Sequence, residues 1–127
     1  MAEAVLDASA ILALLQEERG ADRVEPLVEN ALVCSVNLSE VLAKLVDKGA
    51  SPSLATTIAT SLPFQVVDFD LDLACRAGQL RDTTRKQGLS LGDRACLALA
   101  EREGLPALTT DRGWSEIASR IAVDVIR

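Results

Sequence analysis

The sequence contains no histidine and few aromatic residues, and both shortages narrow its possible functions. Without histidine the chain cannot supply a Ser-His-Asp or Cys-His catalytic unit, a zinc-binding HExxH helix, or histidine acid–base cleavage of RNA. Catalysis would have to depend on carboxylates, hydroxyls, Lys, Arg or a metal bound by oxygen ligands. The aromatic residues are Phe64, Phe69 and Trp114, so Leu, Val, Ile and Ala must fill the core.

Cysteine is also scarce, and its placement argues against disulfides and zinc. Cys34, Cys75 and Cys96 are odd in number, far apart, and each within an apolar stretch, which predicts small buried residues in a reducing cytoplasm. The first 15 residues are apolar, but Glu3 and Asp7 interrupt them and no basic leader precedes them. We therefore expect neither a signal peptide nor a membrane span, and a cytoplasmic protein.

Short apolar runs alternate along the chain with stretches of helical period. Predicted strands cover residues 4–6, 31–36, 64–68, 106–109 and 121–126. Predicted helices cover residues 9–18, 22–29, 37–48, 51–61, 70–86 and 90–103, and a short helix begins at Trp114. Because the strands are apolar on both faces, this alternation predicts one domain over residues 1–127, with a parallel sheet between two layers of helices.

Four carboxylates are predicted at strand ends or helix starts. Asp7 closes the first strand, Glu40 opens the helix after the second, Asp93 opens the apolar helix LGDRACLALA, and Asp111 follows the fourth strand. Ligands of open parallel sheets bind beyond the carboxyl ends of the strands. We therefore expect these four acids to lie near one another.

Each acid alone also fits a purely structural role. Asn37-x-x-Glu40 and Ser90-x-x-Asp93 have capping-box spacing, while Asp7 and Asp111 are placed to cap the helices that follow them. The joint arrangement favours function, because two carboxylates about 4 Å apart repel by about 4 kcal/mol at an effective dielectric constant of 20. A cluster of four needs a cation, and oxygen ligands without His or Cys select Mg²⁺ or Mn²⁺.

At these residues the sequence resembles the PIN-domain nucleases, and among them the VapC-type toxins of toxin–antitoxin pairs. The resemblance lies in VLDASA, NLSEVLAKL, GLSLGDRACLALA and TTDRGW, which occur in the family's order over nearly the whole chain. It implies a three-layer α/β/α fold with sheet order 3-2-1-4-5. It also implies a Mg²⁺- or Mn²⁺-dependent endoribonuclease that cleaves RNA phosphodiester bonds by metal-activated water, leaving a 5′-phosphate and a 3′-hydroxyl.

The resemblance also assigns roles to individual residues and predicts partners. The catalytic, metal-binding acids carry over as Asp7, Glu40, Asp93 and Asp111, and the supporting polar positions as Ser9, Asn37, Thr109 and Thr110. Some members have a further acid shortly after the last Asp, where this chain has Ser115 and Glu116. The implied partners are RNA, a second copy of the chain and a VapB-type antitoxin. The antitoxin would fill an apolar groove along residues 37–61, whose apolar faces fit core packing equally well.

The net charge of −6 is unusual for a protein that binds a polyanion. Four of the six surplus negative charges are the proposed ligands, so most of the acidity belongs to the site itself. Candidate phosphate contacts are then Arg81, Arg85, Lys86, Arg94 and Arg112, although a solvated surface is the alternative for each. We expect Trp114, at the start of a short helix, to pack in the core rather than stack on a base.

Two alternatives belong to other functional classes. A phosphorelay receiver domain would need paired acids at the first strand and a lysine at the end of the fifth, but Asp7 is unpaired and IAVDVIR has no lysine. The other alternative is a non-catalytic PIN-like interaction module, against which the presence of all four acids argues.

Overall fold

The molecule is built on a five-stranded parallel sheet in the order β3-β2-β1-β4-β5, as seen in a computed structural model of the chain. The structure describes residues 1–117 and 121–127. The strands are β1 Ala4–Leu6, β2 Ala31–Cys34, β3 Gln65–Val67, β4 Ala107–Thr109 and β5 Val123–Val125. The predicted parallel sheet and its order are confirmed.

Helices cover both faces of the sheet. The α-helices are α1 Ala8–Leu15, α2 Ala21–Val24, α3 Ser35–Asp47, α4 Pro52–Ala59, α5 Leu71–Thr84 and α6 Leu91–Glu103. The 3-10 helices are Glu25–Asn30, Arg85–Gln87 and Arg112–Glu116. None of the described helices is long and apolar enough to cross a membrane.

Alternating side chains of each strand divide the core into two layers, because successive residues of a strand point to opposite faces. Val5 of β1 packs in the layer formed with α5, α6 and Trp114. Its neighbours Ala4 and Leu6 pack in the layer formed with α1 to α4. Trp114 is only 1% exposed, which confirms that it packs in the core.

Some sequence predictions were wrong in detail. Residues 22–29 were expected to form one α-helix, but an α-helical turn passes into the 3-10 helix Glu25–Asn30, where Pro26 has no N–H to continue α-helical hydrogen bonding. Cys34 and Cys96 are buried as expected, whereas Cys75 is exposed on α5. Strand β3 lies at an edge of the sheet, so Gln65 and Val66 are exposed rather than covered on both faces.

Candidate metal and nuclease site

Asp7 occupies the carboxyl edge of the sheet, directly after β1, and is only 5% exposed. Its backbone N–H donates to the Leu108 carbonyl at 3.0 Å, which extends the pairing of β1 with β4 by one residue. Although Asp7 is the residue before α1, its side chain makes no capping hydrogen bond to that helix. The capping interpretation of Asp7 is therefore wrong, and its carboxylate is directed elsewhere.

Two hydroxyls hold the Asp7 carboxylate. Ser9 Oγ donates to Asp7 Oδ2 at 2.8 Å, and Thr109 Oγ1 donates to the same oxygen at 3.1 Å. Each hydroxyl also accepts a backbone N–H, Ser9 Oγ from Thr110 at 3.0 Å and Thr109 Oγ1 from Asp111 at 3.1 Å. These bonds fix the start of α1 to the loop after β4, and Thr110 contributes through its backbone.

Glu40 is held at the site by a residue within its own helix. Helix α3 begins at Ser35, so Asn37 lies inside it and the predicted Asn37–Glu40 capping box does not form. Instead the buried Asn37 Nδ2 donates to Glu40 Oε1 at 2.9 Å and to the Gly92 carbonyl at 3.0 Å. Asn37 thereby joins α3 to the start of α6 and holds Glu40 beside Gly92, the residue before Asp93.

Gly92 is a site residue that the sequence analysis did not identify. A Cβ at this position would overlap the Glu40 carboxylate, so that carboxylate lies directly against the α6 backbone. A glycine in the first turn of a helix, immediately before a candidate metal ligand, was the available signal, since glycine disfavours helix. Its absence of a side chain makes room for Glu40.

Asp93 caps helix α6 and is also a candidate metal ligand. Its Oδ2 accepts the Ser90 N–H at 3.0 Å, while its own N–H donates to Ser90 Oγ at 3.1 Å, which completes the predicted capping box. Asp111 is exposed and caps the following 3-10 helix by accepting the Gly113 N–H at 2.8 Å. In each of these two acids the capping bond uses one carboxylate oxygen and leaves the other without a capping role.

The electrostatic environment links Asp7 to two of the other acids. Burial, with the negative charges of Asp93 and Glu40, raises the pKa of Asp7 from 3.8 to about 7, against the lowering effect of the Ser9 and Thr109 hydrogen bonds. Burial and the charges of the same three acids raise the pKa of the underlying Cys96 thiol well above its usual value. The charges of Glu40 and Asp93 thus act on the buried Asp7, to which the backbone of Asp111 is connected through Thr109.

A hard divalent cation fits this donor set. In the described part of the chain no three acidic or thiol side chains form a ready-made ligand cage, and Glu40 and Asp93 each have one oxygen engaged by a protein donor. The available ligands are nevertheless carboxylate oxygens. Asn37 Oδ1 lies beside Glu40, buried and without a hydrogen-bond partner among the described residues. Such a set suits Mg²⁺ or Mn²⁺, whose charge would favour ionised Asp7.

The predicted phosphate contacts fall into two groups. The exposed side chains of Arg81, Arg85, Lys86 and Arg112 form no ion pair with any described residue. Arg94 is half-buried, and its guanidinium donates to the Ala77 carbonyl of α5 at 2.9 Å. The first four are thus available to a polyanion, whereas Arg94 joins α6 to α5.

Comparison with solved structures supports the fold independently of the site. The chain is 20% identical to a chain of DNA-bound VapBC from Salmonella typhimurium, with a TM-score of 0.75 over 98% of both chains. For FitAcB from Neisseria gonorrhoeae the values are 21% identity and a TM-score of 0.74, over 94% of this chain and 95% of the other. For VapBC-5 from Mycobacterium tuberculosis they are 25% and 0.66, over 100% and 99%.

A comparison with curated proteins found no match. The family model of the PIN domain, however, matches residues 4–120. This range includes the whole sheet up to β4 and all four acids at its carboxyl edge. The match over nearly the entire sequence, together with the observed strand order, shows that the chain belongs to the PIN domain family.

Proposed function

We propose that this chain is a Mg²⁺- or Mn²⁺-dependent endoribonuclease and the toxin of a VapBC-type pair. PIN domains are nucleases, and the convergence of Asp7, Glu40 and Asp93 at the carboxyl edge of the sheet carries the proposal for this chain. Asp111 is proposed as the fourth acid of the site. Carboxylates that hold a divalent ion can support phosphodiester cleavage without a histidine.

The site residues have distinct parts in the proposed reaction. Asp7, Glu40 and Asp93 would hold the ion, with Asp111 completing the site. A bound divalent ion lowers the pKa of water and neutralises charge that develops on a phosphodiester. Ser9 and Thr109 orient Asp7 through the hydrogen bonds described above, and Asn37 orients Glu40.

Arg112 follows Asp111 directly and is the best-placed cation for a substrate phosphate. Because its side chain is exposed and free of ion pairs within the described residues, a phosphate contact would not require an existing bond to break. Arg81, Arg85 and Lys86 are exposed as well, and they would contact substrate phosphates farther from the four acids. Loss of RNA affinity with retained metal binding in Arg112→Ala would support this role, and unchanged RNA affinity would remove it.

The proposed antitoxin partner rests on the relatives and on two exposed apolar side chains. VapBC-5 of M. tuberculosis is a member of a family of toxin–antitoxin systems, and the S. typhimurium structure is a VapBC complex. In this chain Val46 at the end of α3 and Leu54 of α4 are 41% and 51% exposed. These side chains offer apolar contacts to a partner helix, and a homodimer is proposed on the family's pattern.

Cleavage of a long RNA by the purified chain tests the proposed activity. We expect cleavage with Mg²⁺ that leaves 5′-phosphate ends, stops in excess EDTA and is lost in Asp93→Asn. Asp47→Asn is the matched control, because this exposed acid lies at the end of α3, away from the site. Cleavage that persists in EDTA or in Asp93→Asn would contradict the proposal.

Induced expression with sequencing of new RNA 5′ ends tests the toxin role in cells. Growth arrest by wild type but not by Asp93→Asn is expected, and co-expression of a VapB-type antitoxin should restore growth. Arrest by both proteins would exclude nuclease activity as its cause.

A further inference from the structure

The turn that follows Asp111 holds the Asp111 carboxylate in place, although Asp111 itself is exposed. Asp111 Oδ1 accepts the Gly113 N–H at 2.8 Å, and the Asp111 N–H donates to Thr109 Oγ1 at 3.1 Å. Thr109 Oγ1 in turn donates to Asp7 Oδ2 at 3.1 Å. The main chain of Asp111 is therefore connected to the Asp7 carboxylate, and its side chain is bonded to Gly113.

Gly113 lies closer to this carboxylate than a residue with a side chain could lie without a shift. A Cβ built on Gly113 would come within 3.1 Å of Asp111 Oδ1. Heavy atoms that are not bonded to each other attract best at about 3.5–4.0 Å. With any other residue at position 113, the carboxylate or the turn would have to move by a few tenths of an ångström.

The backbone at position 113 does not itself require glycine. Its φ angle is not positive, unlike those of Gly49 and Gly104, which follow helices. Gly113 also lies within the 3-10 helix Arg112–Glu116, where glycine is less favourable than alanine because it loses more conformational freedom on folding. The close approach to Asp111 is the feature of the structure that explains a glycine here.

The bond to Gly113 leaves the second oxygen of Asp111 available to an ion. Asp111 Oδ2 accepts no hydrogen bond from the residues that the structure describes. Asp111 and Gly113 also line a cavity of about 220 Å³, the volume of about seven water molecules at about 30 Å³ each. An ion that keeps several of its waters, as Mg²⁺ usually does, can therefore reach this carboxylate.

A carboxylate that is held before the ion arrives binds it more tightly than one that rotates freely. Fixing a flexible side chain on binding typically weakens the affinity by ~3-fold or more. The Gly113 N–H already fixes the Asp111 side chain in the metal-free protein. The loss of freedom on metal binding is therefore smaller for Asp111 than for other exposed acids.

We propose that Gly113 is a positioning residue of the metal site, whose N–H and lack of a side chain hold the Asp111 carboxylate for the ion. The proposal rests on the proposed role of Asp111 as the fourth acid of the site. Because Gly113 acts through Asp111, its effect on metal binding must disappear when the Asp111 carboxylate is removed.

A double-mutant cycle on Mn²⁺ binding tests this dependence in the absence of RNA. Free Mn²⁺ is measured by electron paramagnetic resonance with wild type, Gly113→Ala, Asp111→Ala and the double variant. We expect Gly113→Ala to raise the Kd for Mn²⁺ by ~3-fold or more, and Asp111→Ala to raise it at least as much. On the Asp111→Ala background, Gly113→Ala should change the Kd by less than about 2-fold.

Ser115→Ala is the matched control for a general loosening of the 3-10 helix. Ser115 Oγ donates to the Arg112 carbonyl at 2.9 Å within the same helix and makes no bond to Asp111. This variant should bind Mn²⁺ as wild type does. A thermal melt in EDTA verifies folding, and Gly113→Ser, which adds the same Cβ, is a second variant if Gly113→Ala does not fold.

The outcomes separate this proposal from the nuclease function. An unchanged Kd in Gly113→Ala, an equal loss in Ser115→Ala, or a further loss on the Asp111→Ala background would overturn the proposal even if the protein cleaves RNA. No Mn²⁺ binding by wild type, or an unchanged Kd in Asp111→Ala, would overturn it together with the role of Asp111. The expected cycle in a protein that does not cleave RNA would support Gly113 and contradict the nuclease function instead.

Discussion

The buried Asp7 carboxylate should destabilise the metal-free protein at neutral and alkaline pH. Its pKa is about 7 in the folded state, against an ordinary value of 3.8, because burial disfavours the charged form. The folded state therefore keeps this proton over a range in which the unfolded state has lost it. The stability gained by holding the proton is complete below pH 3.8 and is lost as the pH rises through 7.

The size of the effect follows from the two pKa values. Each pH unit between them is worth 1.36 kcal/mol, so the whole difference sets a ceiling of about 4 kcal/mol. Between pH 5 and pH 8 only the interval from 5 to about 7 contributes, which is about 3 kcal/mol. Asp7→Asn removes the ionisation, and its Oδ1 can still accept the Ser9 and Thr109 hydroxyls. Relative to wild type, Asp7→Asn should therefore gain about 3 kcal/mol between pH 5 and pH 8.

Urea unfolding of both proteins in EDTA at pH 5 and pH 8 measures this change. Taking the difference between variants cancels the pH dependence of the groups that do not interact with Asp7, and leaves that of Asp7 and its coupling to Asp93 and Glu40. Asp111→Asn is the matched control, since this acid is exposed, and it should show no comparable gain. If Asp7→Asn is no more stable relative to wild type at pH 8 than at pH 5, burial does not raise the pKa of Asp7 and the electrostatic argument fails.

Three further results are expected. Gly92→Ala should displace Glu40 and weaken the stabilisation by Mn²⁺ in a thermal melt. In the control Gly78→Ala nothing lies near the new Cβ, so this variant should stabilise α5 by about 0.5–1 kcal/mol. An equal response of the two variants to Mn²⁺ would contradict the role of Gly92. Mn²⁺ at a hundredfold excess over its Kd should stabilise wild type by about 2.7 kcal/mol and Asp93→Asn much less, while an equal response would exclude Asp93 as a ligand. Mg²⁺-dependent RNA cleavage should rise with pH towards 7, because an ion binds ionised Asp7 better than its protonated form; a flat profile from pH 5 to 8 would contradict this.

Local sequence signals predicted most elements because they act over a few neighbouring residues. Ser51, the first residue of the predicted helix 51–61, caps α4 by accepting the Leu54 N–H at 3.1 Å, and Ser90 forms the predicted capping box with Asp93. Gly49 and Gly104 follow helices with positive φ angles, as expected for residues that end a helix. The predicted order of strands and helices then agreed with the structure.

The errors arose where neighbours in space override these signals. Asn37 has capping-box spacing to Glu40, but its amide is drawn into the helix to bond Gly92, 55 residues away. Cys75 lies in a partly apolar stretch, but its place on α5 leaves it exposed. Sequence spacing could indicate neither the bond from Asn37 to Gly92 nor the exposure of Cys75.

By itself, the sequence determined the chemistry available to this protein. It has no histidine, and its four acids at strand ends and helix starts make carboxylate oxygens the main groups that could bind a metal ion. Only the tertiary structure decided how those acids differ. It buried Asp7 under two hydroxyls, set Glu40 against the backbone of Gly92, and left Asp111 exposed beside a small cavity. The physical reason is that the pKa of a carboxylate and its available ligands depend on desolvation and on distant neighbours, which the folded chain alone brings together.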